Sequence, residues 1–157
     1  MDDKKSKLPV GCWWLIGVVV VVVLIIGYML YRGVTSSIEA EYTLQADRLV
    51  LQVLTQHLKE NSGKWPSSWT ELQSTVPEAE YSMWKWPNDI DEIKERIHVD
   101  FTLQTEDVAR MDVDSFTAVR QSYPNYGPNE SFIERLIWTA RESVGQREEN
   151  EEEREKK

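Results

Sequence analysis

Between Pro9 and Tyr31 the chain reads PVGCWWLIGVVVVVVLIIGYMLY without a single charged side chain. At ~1.5 Å per residue a helix of this length is just long enough for a hydrocarbon core of roughly 30 Å. Its valines are mediocre helix formers in water, but in lipid the backbone has no other partner and must close its own hydrogen bonds. Trp13 and Trp14 at one end, with Tyr28 and Tyr31 at the other, fit the two interfacial belts where amphipathic rings settle. Residues 10–31 are therefore expected to form a transmembrane helix in contact with the bilayer, with residues 1–9 preceding it.

The competing reading is a cleaved secretory signal, whose apolar core usually runs ~7 to 15 residues and ends at small residues of the Ala-x-Ala kind. Here the core is longer, and Thr35-Ser36-Ser37 makes a poor cleavage site, which favours an uncleaved anchor. Lys4, Lys5 and Lys7 precede the span, whereas only Arg32 closely follows it. That bias places the amino terminus in the cytoplasm and the rest of the chain outside, in a single-pass membrane protein. Cys12 is the only cysteine, so it has no internal disulfide partner. Gly11 precedes it as in a lipidation site, but the apolar stretch follows the cysteine instead of preceding it.

Residues 32–145 suffice for one modest domain. The net charge is -9, and the cations are scattered among more numerous carboxylates, so no basic stripe is available for nucleic acid. Ser36 and Glu39 have capping-box spacing and could start a new helix, unless the membrane helix continues through them. Ile38, Tyr42, Ala46, Leu49, Val50, Val53, Leu54 and His57 fall on one broad face at helical spacing. Glu41, Arg48, Gln52, Thr55 and Lys59 fall opposite, which is the pattern of an amphipathic helix. Leu44, Leu51 and Leu58 recur every seven residues on its flank. This second ridge can serve the domain's own sheet or meet a neighbouring subunit.

The segment NSGKWPSSWTEL, residues 61–72, reads as a corner. Gly63 supplies a left-handed residue to end the helix, and Pro66 forces Trp65 towards an extended conformation. Ser68 and Glu71 then have the spacing of a capping box that starts a short helix carrying Trp69 and Leu72. A hydrophobic anchor, an amphipathic helix in direct continuation, and Asn61-Ser62-Gly63-Lys64-Trp65-Pro66-Ser67-Ser68 together resemble bacterial pilin-like proteins. The order is most similar to the pseudopilins of type II secretion, with their Asn-Gly-x-Tyr-Pro-(Thr/Ser) segment, over roughly residues 10–72. The resemblance implies a long helix on an antiparallel sheet, assembly through the apolar helix, and pilus- or secretion-type partners at a bacterial inner membrane. Where those families carry Phe-Thr-Leu-x-Glu, this chain has Cys12-Trp13-Trp14-Leu15-Ile16 after Gly11, so a static anchored domain is the inference rather than a processed fibre subunit.

Residues 74–88 read as loop, with Pro77, Pro87 and the cluster Tyr81, Met83, Trp84 and Trp86. Trp65, Trp69, Trp84 and Trp86 lie close together in sequence and can supply either core bulk or an exposed platform for a glycan or a protein. A short helix is expected from Asn88 or Asp89 through Ile93. Arg96–Leu103 alternates apolar Ile97, Val99, Phe101 and Leu103 with polar residues, the strongest strand pattern in the chain, and Phe116–Arg120 reads as a second strand. Thr105 can cap a turn containing Val108 and Met111. Tyr123–Asn129 is dense in turn formers. A last helix, starting near Asn129 or Ser131, carries a stripe of Ile133, Leu136, Ile137, Ala140 and Val144. Residues 146–157 read as a charged, disordered tail.

Catalytic chemistry is thinly represented. His98 and Asp100 point to one side of the expected strand and could form a weak metal or acid-base pair, but no zinc spacing, nucleotide-cradling glycine loop or nucleophile motif occurs. The expectation is an α+β protein with a membrane helix, a long amphipathic helix on a small antiparallel sheet and a C-terminal helix. It would be non-catalytic, take no cofactor, metal or small-molecule substrate, and act by assembly, with homo-oligomers among the possible partners. The alternative is recognition through the tryptophan-rich region.

Overall fold

The structure is a computed structural model that describes residues 10–77, 83–122, 127 and 129–155. The expected cytoplasmic residues 1–9, Tyr81, and all of the Tyr123–Asn129 loop except Gly127 and Asn129 lie outside the described residues. The chain divides into two units, Met1–Glu39 and Ala40–Lys157. Helix α1 covers Val10–Glu60.

In the first unit α1 is bare. Ile16, the valines Val18–Val23, Leu24, Ile25 and Ile26 each leave about half or more of their surface uncovered, and so do Tyr28, Met29, Leu30, Tyr31 and Val34. Successive residues point in every direction around a helix, so no face is packed. It is the one helix among the described residues long and apolar enough to cross a membrane. The Ser36–Glu39 box does not start a new helix. The hydroxyl of Thr35 donates to the carbonyls of Tyr31 and Arg32, and that of Ser37 to Gly33, within an uninterrupted α1.

In the second unit the same helix is enclosed. From Ala46 to Leu58 no side chain is exposed, and only Arg48, Gln52 and Gln56 are half-buried. Spaced four apart, these three form a narrow polar seam. The expectation of one packed face opposite one free face is thereby corrected. Thr55, assigned to the polar face, is buried with its hydroxyl donating to the Leu51 carbonyl at 2.8 Å. Ile38 and Tyr42, assigned to the apolar face, are exposed.

The corner forms as its residues demand. Gly63 N–H reaches back to the Leu58 carbonyl at 2.7 Å, the six-to-one bond that closes a helix end, and Lys64 N–H bonds to the Asn61 carbonyl. Two residues are left-handed, Gly63 at φ +72 and Ser62 at φ +54, where one had been expected. Helix α2, Trp69–Gln73, is capped by Ser68, whose hydroxyl accepts from Glu71 N–H at 3.3 Å. Glu71 completes the cap one residue early, its Oε2 accepting from the Ser67 N–H and hydroxyl, each at 2.7 Å.

Helix α3 covers Ile90–Arg96 and leads directly into β1, Ile97–Val99. The expected eight-residue strand is thus three residues long. Asp100 Oδ1 accepts from both the Thr102 N–H at 2.9 Å and the Thr102 hydroxyl at 2.6 Å, and this Asx turn bends the chain before Phe101 can extend the strand. β2 is Val119–Gln121, set later than expected, and pairs antiparallel with Ile97 opposite Gln121 and Val99 opposite Val119. Between them lie α4, Thr105–Arg110, and a 3-10 turn at Val113–Ser115. Gln104, not Thr105, precedes α4 as its cap, its N–H donating to Asp107 Oδ2 at 2.9 Å. The Thr105 hydroxyl instead donates to the Gly63 carbonyl at 2.6 Å.

Helix α5 covers Glu130–Glu155 and packs on α4. Ile133, Leu136, Ile137 and Ala140 join α1, β1 and β2 residues in one core. The disordered tail expected from Gln146 is helical as far as Glu155, consistent with the high helix propensity of its Glu and Arg residues. The fold is α+β with helices dominant and a minimal two-stranded sheet.

Candidate functional site

The sequence offered two surfaces, and the domain uses both internally. Leu51 and Leu58 of the expected ridge are buried in the domain's own core, and Leu44 is half-buried. Apolar spacing could not distinguish a helix packed on two sides from one surrounded.

The tryptophan platform is likewise structural. Trp65 and Trp84 are buried, and Trp69 and Trp86 are half-buried against the same core. Three indoles donate to backbone carbonyls: Trp65 to Asp100 at 3.0 Å, Trp84 to Tyr42 at 3.0 Å and Trp86 to Thr75 at 2.9 Å. Trp69 meets Phe101 edge-on with centroids 5.6 Å apart. Trp65 and Trp86 satisfy carbonyls that regular structure leaves open, at Asp100 and Thr75, whereas Trp84 ties its segment to a carbonyl inside α1. Arg96 stacks against both Tyr42 and Trp84 at 5.7 and 5.5 Å.

The aromatics expected at the membrane interfaces are placed differently. Trp14, Tyr28 and Tyr31 are exposed on α1. Trp13 lies in the same helix, with its side chain outside the described residues.

One tryptophan that sequence reasoning passed over behaves unlike the others of the second unit. Trp138 on α5 is 61% exposed. It lines a groove of about 610 Å³ whose opposite wall comes from Met111–Val113. Arg141 fixes that wall: its Nε donates to the Ala109 carbonyl at 2.8 Å, its Nη2 donates to the Met111 carbonyl at 3.1 Å, and Asp112 lies 3.8 Å away. Arg135 and Glu134 complete the rim. The available signal was angular, since Trp138 lies about 100° beyond Ile137 and so off the buried stripe of its own helix. An aromatic plate with one fixed cation, Arg141, and further charged side chains beside it can engage a polypeptide side chain or a polar ligand face.

The polar groups inside the domain fasten elements together. Asn129, just ahead of α5, donates through Nδ2 to Asp47 Oδ2 at 2.5 Å and accepts from Arg48 Nε at 2.9 Å, while Gln121 of β2 donates to the same Asp47 oxygen at 3.1 Å. Burial pushes the Asp47 carboxyl above its ordinary range, against the pull of those donors and of Arg48. His57 is held below its ordinary range, chiefly by burial. His98 and Asp100, which the strand alternation set on one side, lie at the end of β1, where His98 is exposed and Asp100 is engaged by Thr102. The Thr102 donors hold the Asp100 carboxyl below its ordinary range. No group of three His, Cys, Asp or Glu side chains among the described residues is placed to hold a metal ion. No family model, curated protein or solved structure matches this chain.

Proposed function

We propose that this protein is a single-pass membrane-anchored, non-catalytic component of a cell envelope that works by assembly or recognition. The observation that carries the reading is the first unit's helix, whose apolar side chains are uncovered all around over a length that fits a bilayer. Lys4, Lys5 and Lys7 ahead of the span favour a cytoplasmic amino terminus and an outward domain. A long helix that is apolar early and core-forming late, ending in a Gly-x-Trp-Pro-Ser corner, supports a pilin-like relationship, with the cover supplied by helices more than by a sheet. Leu51 and Leu58 being buried moves any assembly contact off that ridge.

The recognition reading rests on a different surface from the one the sequence suggested. Exposed Trp138, in its groove with Arg135 and Glu134, takes the place of Trp84 and Trp86. Alkaline carbonate extraction of membranes tests the anchor, and recovery of the full chain in the supernatant would overturn it. A photo-crosslinker at position 138, compared with one at position 51, tests the surface. A discrete adduct, identified by mass spectrometry, is expected at 138 only.

A further inference from the structure

His57 lies near the end of α1, 1% exposed, and its hydrogen bonds fix where its proton sits. The Asn61 side chain places one atom 3.0 Å from the His57 carbonyl oxygen and 3.2 Å from its Nδ1. A carbonyl oxygen can only accept, so that atom is the amide nitrogen Nδ2, and Nδ1 must be the unprotonated, accepting ring nitrogen. The Thr75 hydroxyl, 3.0 Å from Nδ1, can donate to it as well. The ring proton is therefore on Nε2, which is buried without a hydrogen-bond partner and faces Glu71 Oε1 at 3.6 Å. The other Glu71 oxygen is occupied by Ser67.

A second proton has one place to go, Nδ1, where the Thr75 hydroxyl can turn to accept the new N–H but the Asn61 amide nitrogen, a donor only, faces it at 3.2 Å. We propose that His57 is a proton-operated catch on the corner: protonation at Nδ1 ejects the Asn61 amide and frees the Asn61–Gly63 turn. That turn is held rather than intrinsically preferred, since Ser62 is left-handed at φ +54. Releasing it loosens the Gly63 carbonyl, which accepts from Thr105 of α4 and from Arg147 of α5. One proton at the end of α1 is thereby coupled to three helices.

The charged groups around the ring set the range. Glu71 on α2 and Glu60 on α1 favour the imidazolium, Lys64 in the turn opposes it, and burial opposes it most. With the folded value below 6.5, the closed corner binds the proton more weakly than the open one. Its stability is complete above that ordinary value and is lost as pH falls from there through the folded value.

The full chain in detergent micelles, carrying ¹⁵N-histidine, provides the test, with exposed His98 as the only other histidine and an internal reference. At about pH 7.5 His57 is expected as the Nε2–H tautomer. Between about pH 7.5 and 5, the Gly63 and Lys64 amides should lose about tenfold in hydrogen-exchange protection, corrected for intrinsic rate, while β1 and β2 amides keep theirs. H57Q should flatten that dependence. An Nδ1–H tautomer at neutral pH, unchanged corner protection, or equal loss throughout the domain would each overturn the catch. The first of these is read on the wild-type chain even if H57Q does not fold.

Discussion

A Cβ placed on Gly63 would lie 2.2 Å from the Cβ of Ser143, so the corner after α1 and the middle of α5 touch with no room for a side chain. Gly63 also stands at φ +72, where an L side chain is strained. Gly63→Ala should therefore destabilise the domain by about 2–4 kcal/mol, strain and overlap together. Denaturant midpoints of G63A and of G63A/S143G separate the two causes. The second substitution should recover the overlap and leave the strain.

Asp47 provides a pH prediction of opposite sign to the usual carboxylate. Its folded pKa is raised by burial, so the folded state holds the proton more tightly and stability falls as pH rises from 3.8 through the folded value. Asp47→Asn keeps an oxygen for Asn129 and Gln121, and should lie within about 1 kcal/mol of wild type at neutral pH. The comparison should shift in favour of wild type as the solution is acidified. Asp47→Leu, by contrast, strands the Asn129 and Gln121 donors and should cost about 2–3 kcal/mol. Urea titrations of the three proteins across pH check both statements.

Leu58 and Leu51 decide between core and interface. Both are buried, so Leu58→Ala should cost about 3–4 kcal/mol in a purified monomer. Cysteines placed at 51 and 58 should form no intermolecular disulfide in native membranes. A trapped multimer at either position would restore the ridge as an assembly surface.

The tryptophans should divide into two classes. Trp84→Ala removes a buried ring and the donor to the Tyr42 carbonyl, and should cost about 3–5 kcal/mol. Trp138→Ala should change stability by no more than about 0.5 kcal/mol, because its ring is largely in solvent. With the photo-crosslinker moved to position 135 on the same groove, loss of the crosslinked partner in W138A, with melting unchanged, would assign that ring to recognition.

Val21→Arg puts a cation at the middle of the bare helix, at a cost of about 2.5–3.5 kcal/mol for insertion. A smaller carbonate-resistant fraction is the expected readout, while the Ala40–Lys157 domain should retain its circular dichroism.

The apolar span and the corner were legible because each rests on local chemistry: an uncharged run, a glycine at a left-handed position, a proline, and a serine three residues before a glutamate. The length of β1 was not, because the alternation from Ile97 to Leu103 continues past Asp100, and the Asx turn through Thr102 that ends the strand is a competition between side chain and backbone. The enclosure of α1 was illegible for another reason. Polarity marks a residue such as Thr55 as outward, whereas its hydrogen bond to the Leu51 carbonyl makes its burial tolerable. Trp138 escaped notice because its neighbours in sequence, Ile137 and Ala140, belong to the core, and only the helical angle separates it from them.

The helix at the centre of the second unit is also the first part of that unit to be synthesised. Arg48 awaits Asn129, 81 residues later, and Gly63 awaits Arg147, 84 residues later. Such separations make closure of the domain slow and late, with the nascent core helix unsheathed during most of translation. Ribosome-bound chains stopped before α5 should therefore depend on chaperones at the membrane surface, and release from that dependence should coincide with the emergence of the last helix.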